Sequence, residues 1–175
     1  MIPSLSTYGG LLHDPGYAGM LVDQNSNEII NLMNEGATAI QFGGVVCRGS
    51  KDDLAQTGNV YPLGTCKAPA ADADKPMGLA VRYAIMPAPG YGMANANVVA
   101  FAQNSEVPIL RRGRIYAVAA ENVTVGDAVL SLTAGNGTTG GTTGGGAGAG
   151  RVAVPGATWE TTTTSGNLGI IRINS

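Results

Sequence analysis

The chain has 175 residues, which suits one domain and allows a core to form without disulfides or metal. Charged residues make up only 13% and the formal net charge is −2, which argues against a strongly basic protein that coats nucleic acid. The 44% hydrophobic content argues against disorder, and no apolar run approaches the ~18 residues of a membrane span. The start, Met1 to Ser4, lacks signal-peptide features, so we expect a soluble protein made in a cytoplasm.

Residues 1–36 are predicted to form an extended N-terminal arm. An apolar patch at 17–22 is too short to make its own core, so it packs on the body of the same chain or on a neighbouring subunit. Residues 25–36 fit two interpretations. Ser26 and Gly36 suit the two ends of a short helix, whereas Ile30 and Leu32 also suit one face of an extended segment.

From Thr38 onward the apolar residues recur with a period of two, which predicts short β-strands. Gly126 and Asp127 predict a tight turn between two β-branched segments. Residues 50–76 are typical of a loop, and the Gly/Thr run at 135–150 predicts a flexible loop. The predicted strands are 39–47 with a glycine kink or bulge, 77–85, 98–102, 107–110 at an edge or strand start because of its proline, 115–119, 123–130, 151–154 closed by Pro155-Gly156, 159–163 and 168–173.

This pattern predicts an all-β fold, because no long amphipathic helix is present. We expect a single compact β-sandwich or barrel, jelly-roll-like, whose body spans residues 37–175 and carries the arm at its N-terminus.

Few residues suit catalysis or metal binding. The single histidine, His13, lies in a turn-prone stretch near the chain end, where order is least expected. Cys47 and Cys66 are interpreted as buried, reduced thiols, with a disulfide as the alternative. One histidine and two distant cysteines do not make a zinc site. We therefore expect no enzyme, no metal and no cofactor.

Arg111, Arg112 and Arg114 form the one basic cluster of the sequence. We interpret it as a solvated strand end or as an ion-pairing patch at a subunit interface. A phosphate contact is the less favoured interpretation, because no aromatic stacking surface accompanies these arginines and the chain is net acidic. No nucleic-acid partner and no membrane partner are expected.

Taken in order, the motifs of the chain resemble those of the structural cement proteins of tailed bacteriophages. The resemblance covers most of residues 17–174, and its departures are the loop at 135–150 and the segment 91–97. The motifs are Tyr17-Ala18-Gly19-Met20-Leu21-Val22-Asp23, residues 34–43 with Ile40-Gln41-Phe42-Gly43, residues 78–82, residues 113–118, Val125-Gly126-Asp127-Ala128-Val129, residues 152–161 and residues 168–174.

The resemblance implies a decoration protein that binds the outside of an icosahedral capsid, where major capsid proteins meet, and stabilises the shell against genome pressure. It implies the major capsid protein as a partner and a homo-oligomer, with a trimer favoured over a dimer. Tyr17, Met20 and Leu21 are then the expected arm anchors, and the alternative is that they pack on their own barrel. The resemblance also favours an extended conformation for residues 25–36.

Two other classes of function stay open at this point. A sugar-binding or surface-binding β-module would need exposed aromatic side chains, for which Trp159, Tyr83 and Tyr91 are the candidates. A hydrolase would need His13 or Asp127, and nothing in their surroundings in the sequence favours that reading.

Overall fold

The computed structural model describes residues 16–23, 27–50, 64–82, 100–133, 142–143 and 150–174. Within these ranges the regular structure is entirely β, which confirms the predicted all-β class, and no helix there is long and apolar enough to cross a membrane. The strands are β1 (Glu28–Asn34), β2 (Ile40–Gln41), β3 (Val45–Arg48), β4 (Thr65–Lys67), β5 (Pro76–Ala80), β6 (Ala100–Phe101), β7 (Glu106–Val118), β8 (Ala128–Leu132), β9 (Thr142–Thr143), β10 (Arg151–Trp159) and β11 (Leu168–Ile173).

Five strands close into a barrel in the order β1-β4-β3-β5-β7. The barrel closes because β1 pairs antiparallel with the first half of β7, where Ile30 lies opposite Ile109 and Leu32 opposite Val107. Only the β1–β4 pair in this ring is parallel. The extended interpretation of residues 25–36 is thus correct over Glu28–Asn34, where pairing on both edges replaces any local helical preference.

The second half of β7 leaves the barrel and begins another sheet, which continues through β11, β10, β8 and β9. Gly113 lies between the two halves with a φ of 132°, and a Cβ atom there would overlap the side chain of Asn27. Glycine is therefore required where β7 changes partners. One strand of 13 residues joins both layers of the fold.

The two layers enclose two apolar cores. One fills the barrel and includes Leu32, Ile40, Phe42, Val46, Cys66, Ala68, Ala80, Phe101, Val107 and Ile109. The other lies between the barrel wall and the second sheet and includes Val45, Cys47, Leu79, Val81, Leu110, Ile115, Ala117, Trp159, Ile171 and Ile173. Strands β3, β5 and β7 contribute alternate residues to each core, which explains why their sequences are apolar on both faces.

Two prolines lie inside strands, at positions where the sequence pattern predicted that a strand begins or ends. The segments 107–110 and 115–119 belong to the single strand β7, so the prediction of a separate short strand at 107–110 was wrong. Pro108 is tolerated there because its carbonyl accepts the N–H of Val81, just past the end of β5. The second hydrogen bond of this pair would need an N–H on Pro108, which proline lacks. Its acceptor would be Val81, which also lies past the end of β5, so no bond within the β5–β7 ladder is lost.

The predicted end of a strand at Pro155-Gly156 was also wrong. Strand β10 runs through this dipeptide, and its register against β8 shifts between Ala153 and Thr158. Gly156 has a φ of 67°, and its carbonyl accepts the N–H of Asn174. The dipeptide therefore forms a bulge that bends one strand rather than a turn between two.

The short strands β4 and β9 lie in segments that were predicted as loops. They contain three and two residues, too few to show an alternating pattern. Most of the predicted flexible loop at 135–150 lies outside the described residues, and so does His13.

The two cysteines are free and fully buried, as predicted. Cys47 lies in the core between the layers and Cys66 lies in the barrel core. They therefore occupy opposite faces of the sheet, which explains why neighbouring strands bring them close without joining them.

Candidate functional site

The second half of β7 and strand β11 form an antiparallel ladder with one face in the core and one face outside it. Ile115, Ala117 and Ile171 point into the core, so the residues between them point outward. The register places three outward pairs side by side, which we call the ladder face: Val118 with Leu168, Tyr116 with Ile170, and Arg114 with Arg172.

One end of the ladder face is apolar. Val118 is 43% exposed, and its cross-strand neighbour Leu168 is half-buried, as are Tyr116 and Ile170. Among the described residues nothing covers Val118 completely. This end of the ladder face therefore presents one exposed apolar residue beside three half-buried ones.

The other end of the ladder face is charged. Glu160, which directly follows β10, joins the two cross-strand arginines: its Oε2 atom lies 2.5 Å from Nε of Arg114 and its Oε1 atom lies 3.7 Å from Nη1 of Arg172. Asp23 adds a second carboxylate, 3.6 Å from Nη1 of Arg114. The hydrogen bond to Glu160 raises the pKa of Arg114 further above its ordinary value, so this guanidinium carries a permanent charge.

These side chains line a surface groove of about 450 Å³. Its lining comes from four parts of the chain that are distant in sequence, brought together because β7 and β11 pair in register. The lining residues are Asp23, Arg112, Gly113, Arg114, Glu160, Arg172, Ile173 and Asn174.

The predicted basic cluster is divided by the kink of β7. Arg112 and Arg114 line the groove, whereas Arg111 lies in a separate pocket with Arg48 and pairs with Glu28 at 3.4 Å. Arg112 is exposed, and within the described part of the chain it forms no ion pair. The cluster is thus partly an ion-pairing patch, as the sequence suggested, and partly the wall of a groove.

The predicted arm, residues 1–36, is described over 16–23 and 27–36, and the second of these ranges contains β1, which is a strand of the barrel and not part of an arm. Residues 16–23 lie along the free edge of the second half of β7. The N–H of Gly19 donates to the carbonyl of Tyr116, the N–H of Tyr116 donates to that of Met20, and the N–H of Val22 donates to that of Arg114. Three backbone hydrogen bonds to one strand fix this segment as an added edge beside the ladder face.

The three predicted anchors have different surroundings. Leu21 forms a β-bridge with Ile115 and packs against the core between the layers. Tyr17 is 36% exposed, and the guanidinium of Arg82 lies 4.5 Å from its ring centroid. Met20 is half-buried, and a Cβ atom at Gly16 would lie 2.9 Å from its methyl carbon and 3.0 Å from the ring of Tyr116.

The residues proposed for other functions do not form a site. Trp159 is 1% exposed, so its prediction as part of a surface platform was wrong, and Tyr83 and Tyr91 lie outside the described residues. The carboxylate of Asp127 accepts the N–H of Thr124 at 2.7 Å and thereby stabilises the predicted turn. No group of three His, Cys, Asp or Glu in the described ranges is placed to hold a metal ion.

Sequence reasoning missed the ladder face and Glu160. The signal present was that residues 115–119 and 168–173 are each predicted as strands. The signal could not show that these two segments, far apart in sequence, pair in register or that Glu160 joins them.

The fold and the ladder face define an all-β protein with an exposed surface suited to protein contacts. The sequence model described as "Structural cement protein (E217 gp24/Pam3 gp6)" matches residues 5–174, and the chain therefore belongs to this family of phage structural proteins. A solved chain described as "The capsid of Myoviridae Phage XM1" has a similar fold, with a TM-score of 0.63 and 14% identity over 91% of each chain. A comparison with curated proteins gives no match.

Proposed function

We propose that this protein binds the outside of a phage capsid at the seams between major capsid proteins and stabilises the shell against the pressure of the packaged genome. The observation that carries the proposal is the family match over residues 5–174. A protein bound across a seam adds buried area that must be exposed before the capsid proteins separate, so it raises the free energy of separation.

The ladder face is the surface we assign to the shell contact. It combines an apolar end at Val118 and Leu168 with a charged end at Arg114 and Arg172, all on two paired strands. Interfaces commonly combine apolar contacts, which supply affinity, with charges that fix orientation. Paired strands hold both parts rigidly, so little ordering cost accompanies binding.

The part of the predicted N-terminal arm, residues 1–36, that precedes β1 is proposed to extend this contact, since β1 itself closes the barrel. Tyr17, whose ring lies against Arg82, and Met20, which lies near Tyr116 of the ladder face, keep part of their side chains exposed, so they are the arm residues available to a partner. Leu21 is already packed against the core of its own chain and serves to hold the arm in place.

We further propose that the protein acts as a homo-oligomer, with a trimer on local three-fold axes favoured over a dimer. Subunits of an oligomer that matches the symmetry of the shell bind several capsid proteins at once, which multiplies the effect of a weak single contact. Light scattering of the purified protein tests the oligomeric state directly.

The first test is quantitative mass spectrometry of particles purified through a density gradient. A copy number of the same order as that of the major capsid protein supports a shell component. A few copies per particle would indicate a tail or adhesion part, and absence from particles would overturn the proposal.

A second test measures stabilisation and location on the same particles. Particles that lack this protein should release their genome at a lower temperature, and adding the purified protein back should restore the original temperature. Brief labelling of intact particles with an impermeant amine reagent should modify this protein if it lies on the outside. Unchanged genome release would contradict the stabilising role, and protection from the reagent would contradict the exterior location.

A further inference from the structure

The groove at the charged end of the ladder face holds more positive charge than its own chain neutralises. Arg112, Arg114 and Arg172 line it together with two carboxylates, Asp23 and Glu160. Both carboxylates contact Arg114, and Glu160 is shared with Arg172. Within the described residues Arg112 has no acidic partner, so one positive charge is in excess on a chain whose net charge is −2.

The groove is also rigid and accessible. The backbone of Arg114 is held by β11 on one side and by the N–H of Val22 on the other. Nε of Arg172 donates to Oδ1 of Asn174 at 2.9 Å, which orients this guanidinium while its side chain remains 54% exposed. An entering group would therefore meet Arg114 and Arg172 already positioned, with Arg112 exposed beside them.

We infer that this groove binds an acidic side chain, Asp or Glu, of the major capsid protein, with Arg112 as its principal partner. The inference rests on the proposed function and specifies the chemistry of that contact. A guanidinium pairs with a carboxylate through two parallel hydrogen bonds, and a single carboxylate matches the single excess charge.

Nucleic acid fits the groove less well. Binding to a phosphate backbone depends on several neutralised phosphates in a row, and here Asp23 and Glu160 would repel the phosphates next to the one that Arg112 contacts. The mixed charge of the groove favours one anionic side chain over a polyanion.

The first experiment measures binding of the purified protein to shells assembled without it. Arg112→Glu reverses the charge in the groove and should weaken binding at least about tenfold. Lys75→Glu is the matched control, because Lys75 is exposed, lies outside the groove and undergoes the same reversal. Its affinity should stay within about twofold of the original, and circular dichroism checks that both variants fold.

A second variant identifies the partner group. Arg112→Lys keeps the charge but cannot form the bidentate hydrogen bonds of a guanidinium, so binding should weaken several-fold without being lost. The amine introduced at position 112 also reacts with a carbodiimide-activated carboxylate, forming an amide as the urea leaves. Mass spectrometry should then find position 112 joined to an Asp or Glu of the major capsid protein, and Lys75 not joined.

The outcomes separate the inference from the proposed function. Equal shell binding by the original protein and Arg112→Glu would overturn the inference and leave the proposed function standing. Loss of binding to a labelled DNA duplex in Arg112→Glu, with shell binding unchanged, would assign the groove to nucleic acid and also overturn it. If the original protein does not bind shells, the proposed function fails and the inference fails with it.

Discussion

Val123 and Thr163 form a β-bridge at the midpoints of two loops that cross each other. The N–H of each donates to the carbonyl of the other, at 2.9 and 3.1 Å. Each backbone hydrogen bond that the first loop donates near this bridge has an equivalent that the second loop donates. Gly126 donates to the carbonyl of Trp159, and Gly166 donates to that of Ala119.

The turns that end the two loops correspond to each other in the same way. Asp127 and Asn167 each donate their N–H to the carbonyl three residues earlier, Thr124 and Thr164 respectively, both at 3.1 Å. The two loops are thus related by an approximate local two-fold axis through the bridge. The relation extends to the pairing of β8 with β10 and of β7 with β11, but β10 also pairs with β11 in its own unit, whereas β7 and β8 are not neighbours in the sheet.

Gly19 should be sensitive to substitution because its backbone lies between two other segments. Its φ is 83°, and a Cβ there would lie 2.9 Å from the backbone nitrogen of Arg82 and 3.0 Å from Cβ of Phe42. Gly19→Ala should lower the free energy of unfolding by about 2–3 kcal/mol, measured by denaturant titration. Gly126→Ala is the control, because φ is 91° but nothing lies within 4 Å, and it should cost about 1 kcal/mol. Equal losses would show that the close approach of the arm is unimportant.

Gly169 leaves the space that Trp159 occupies. A Cβ at Gly169 would lie 2.8 Å from Cζ3 of Trp159 and 2.9 Å from Cγ2 of Thr163. Gly169→Ala should therefore destabilise the fold by about 1–3 kcal/mol and shift the emission of this single, buried tryptophan to longer wavelength. Gly36→Ala, whose Cβ would meet nothing closer than 3.4 Å, should change neither quantity measurably. An unshifted spectrum in Gly169→Ala would contradict this packing.

Asp74 should make stability depend on pH. Burial works to raise the pKa of Asp74, but hydrogen bonds from Nζ of Lys67 and from the N–H groups of Ala70 and Ala71 outweigh it and lower the pKa. A lowered folded pKa favours the folded state above the unfolded pKa of about 3.9, and this contribution is lost as pH falls through the folded pKa.

Asp74→Asn removes this charge with little change of size, so it should reduce stability by about 1 kcal/mol at pH 7. The difference from the original protein should shrink steadily below about pH 4, since the protonated carboxyl resembles the amide. Thermal unfolding at a series of pH values measures both effects. A difference that stays constant down to pH 2 would contradict the assigned role of the Asp74 charge.

The two thiols should report on opening of the fold. Burial is the main cause that raises the pKa of Cys47 to about 12 and that of Cys66 to about 12, so neither forms a thiolate at neutral pH. A thiol reagent at pH 8 should therefore label the native protein very slowly and the unfolded protein quickly. Because each cysteine lies in a different core, mass spectrometry of the labelled sites distinguishes opening of the barrel from opening between the layers. Rapid labelling of either site in the native protein would contradict its burial.

Local pattern predicted part of the second sheet. The predicted strand at 159–163 was wrong, because Trp159 ends β10 and residues 160–163 belong to the loop before β11. Residues 168–173, predicted as a strand, form β11 with more and less buried side chains in alternation, and Gly126-Asp127 forms the expected turn because its conformation is set by neighbouring residues. Closure of the barrel was not predictable in the same way. It depends on pairing between β1 and β7, and nothing in residues 28–34 indicates which distant strand they join.

The same distinction applies to the candidate site. The basic cluster at 111–114 could be found from composition, but its division by the Gly113 kink could not. Trp159 was a candidate for an exposed aromatic surface, and its burial follows from the register shift at the Gly156 bulge, which the sequence pattern did not show. In both cases the outcome depends on one glycine with positive φ.

The continuity of β7 has a mechanical consequence. A tensile load that draws the barrel away from the second sheet is carried by the covalent backbone of this strand as it passes Gly113. Separation of the layers along β7 would require its hydrogen bonds to β1 or to β11 to slide and break together, in shear, instead of opening one after another. In the proposed role, in which the protein resists a sustained outward force, this connectivity places a strand loaded in shear across the join between the two layers.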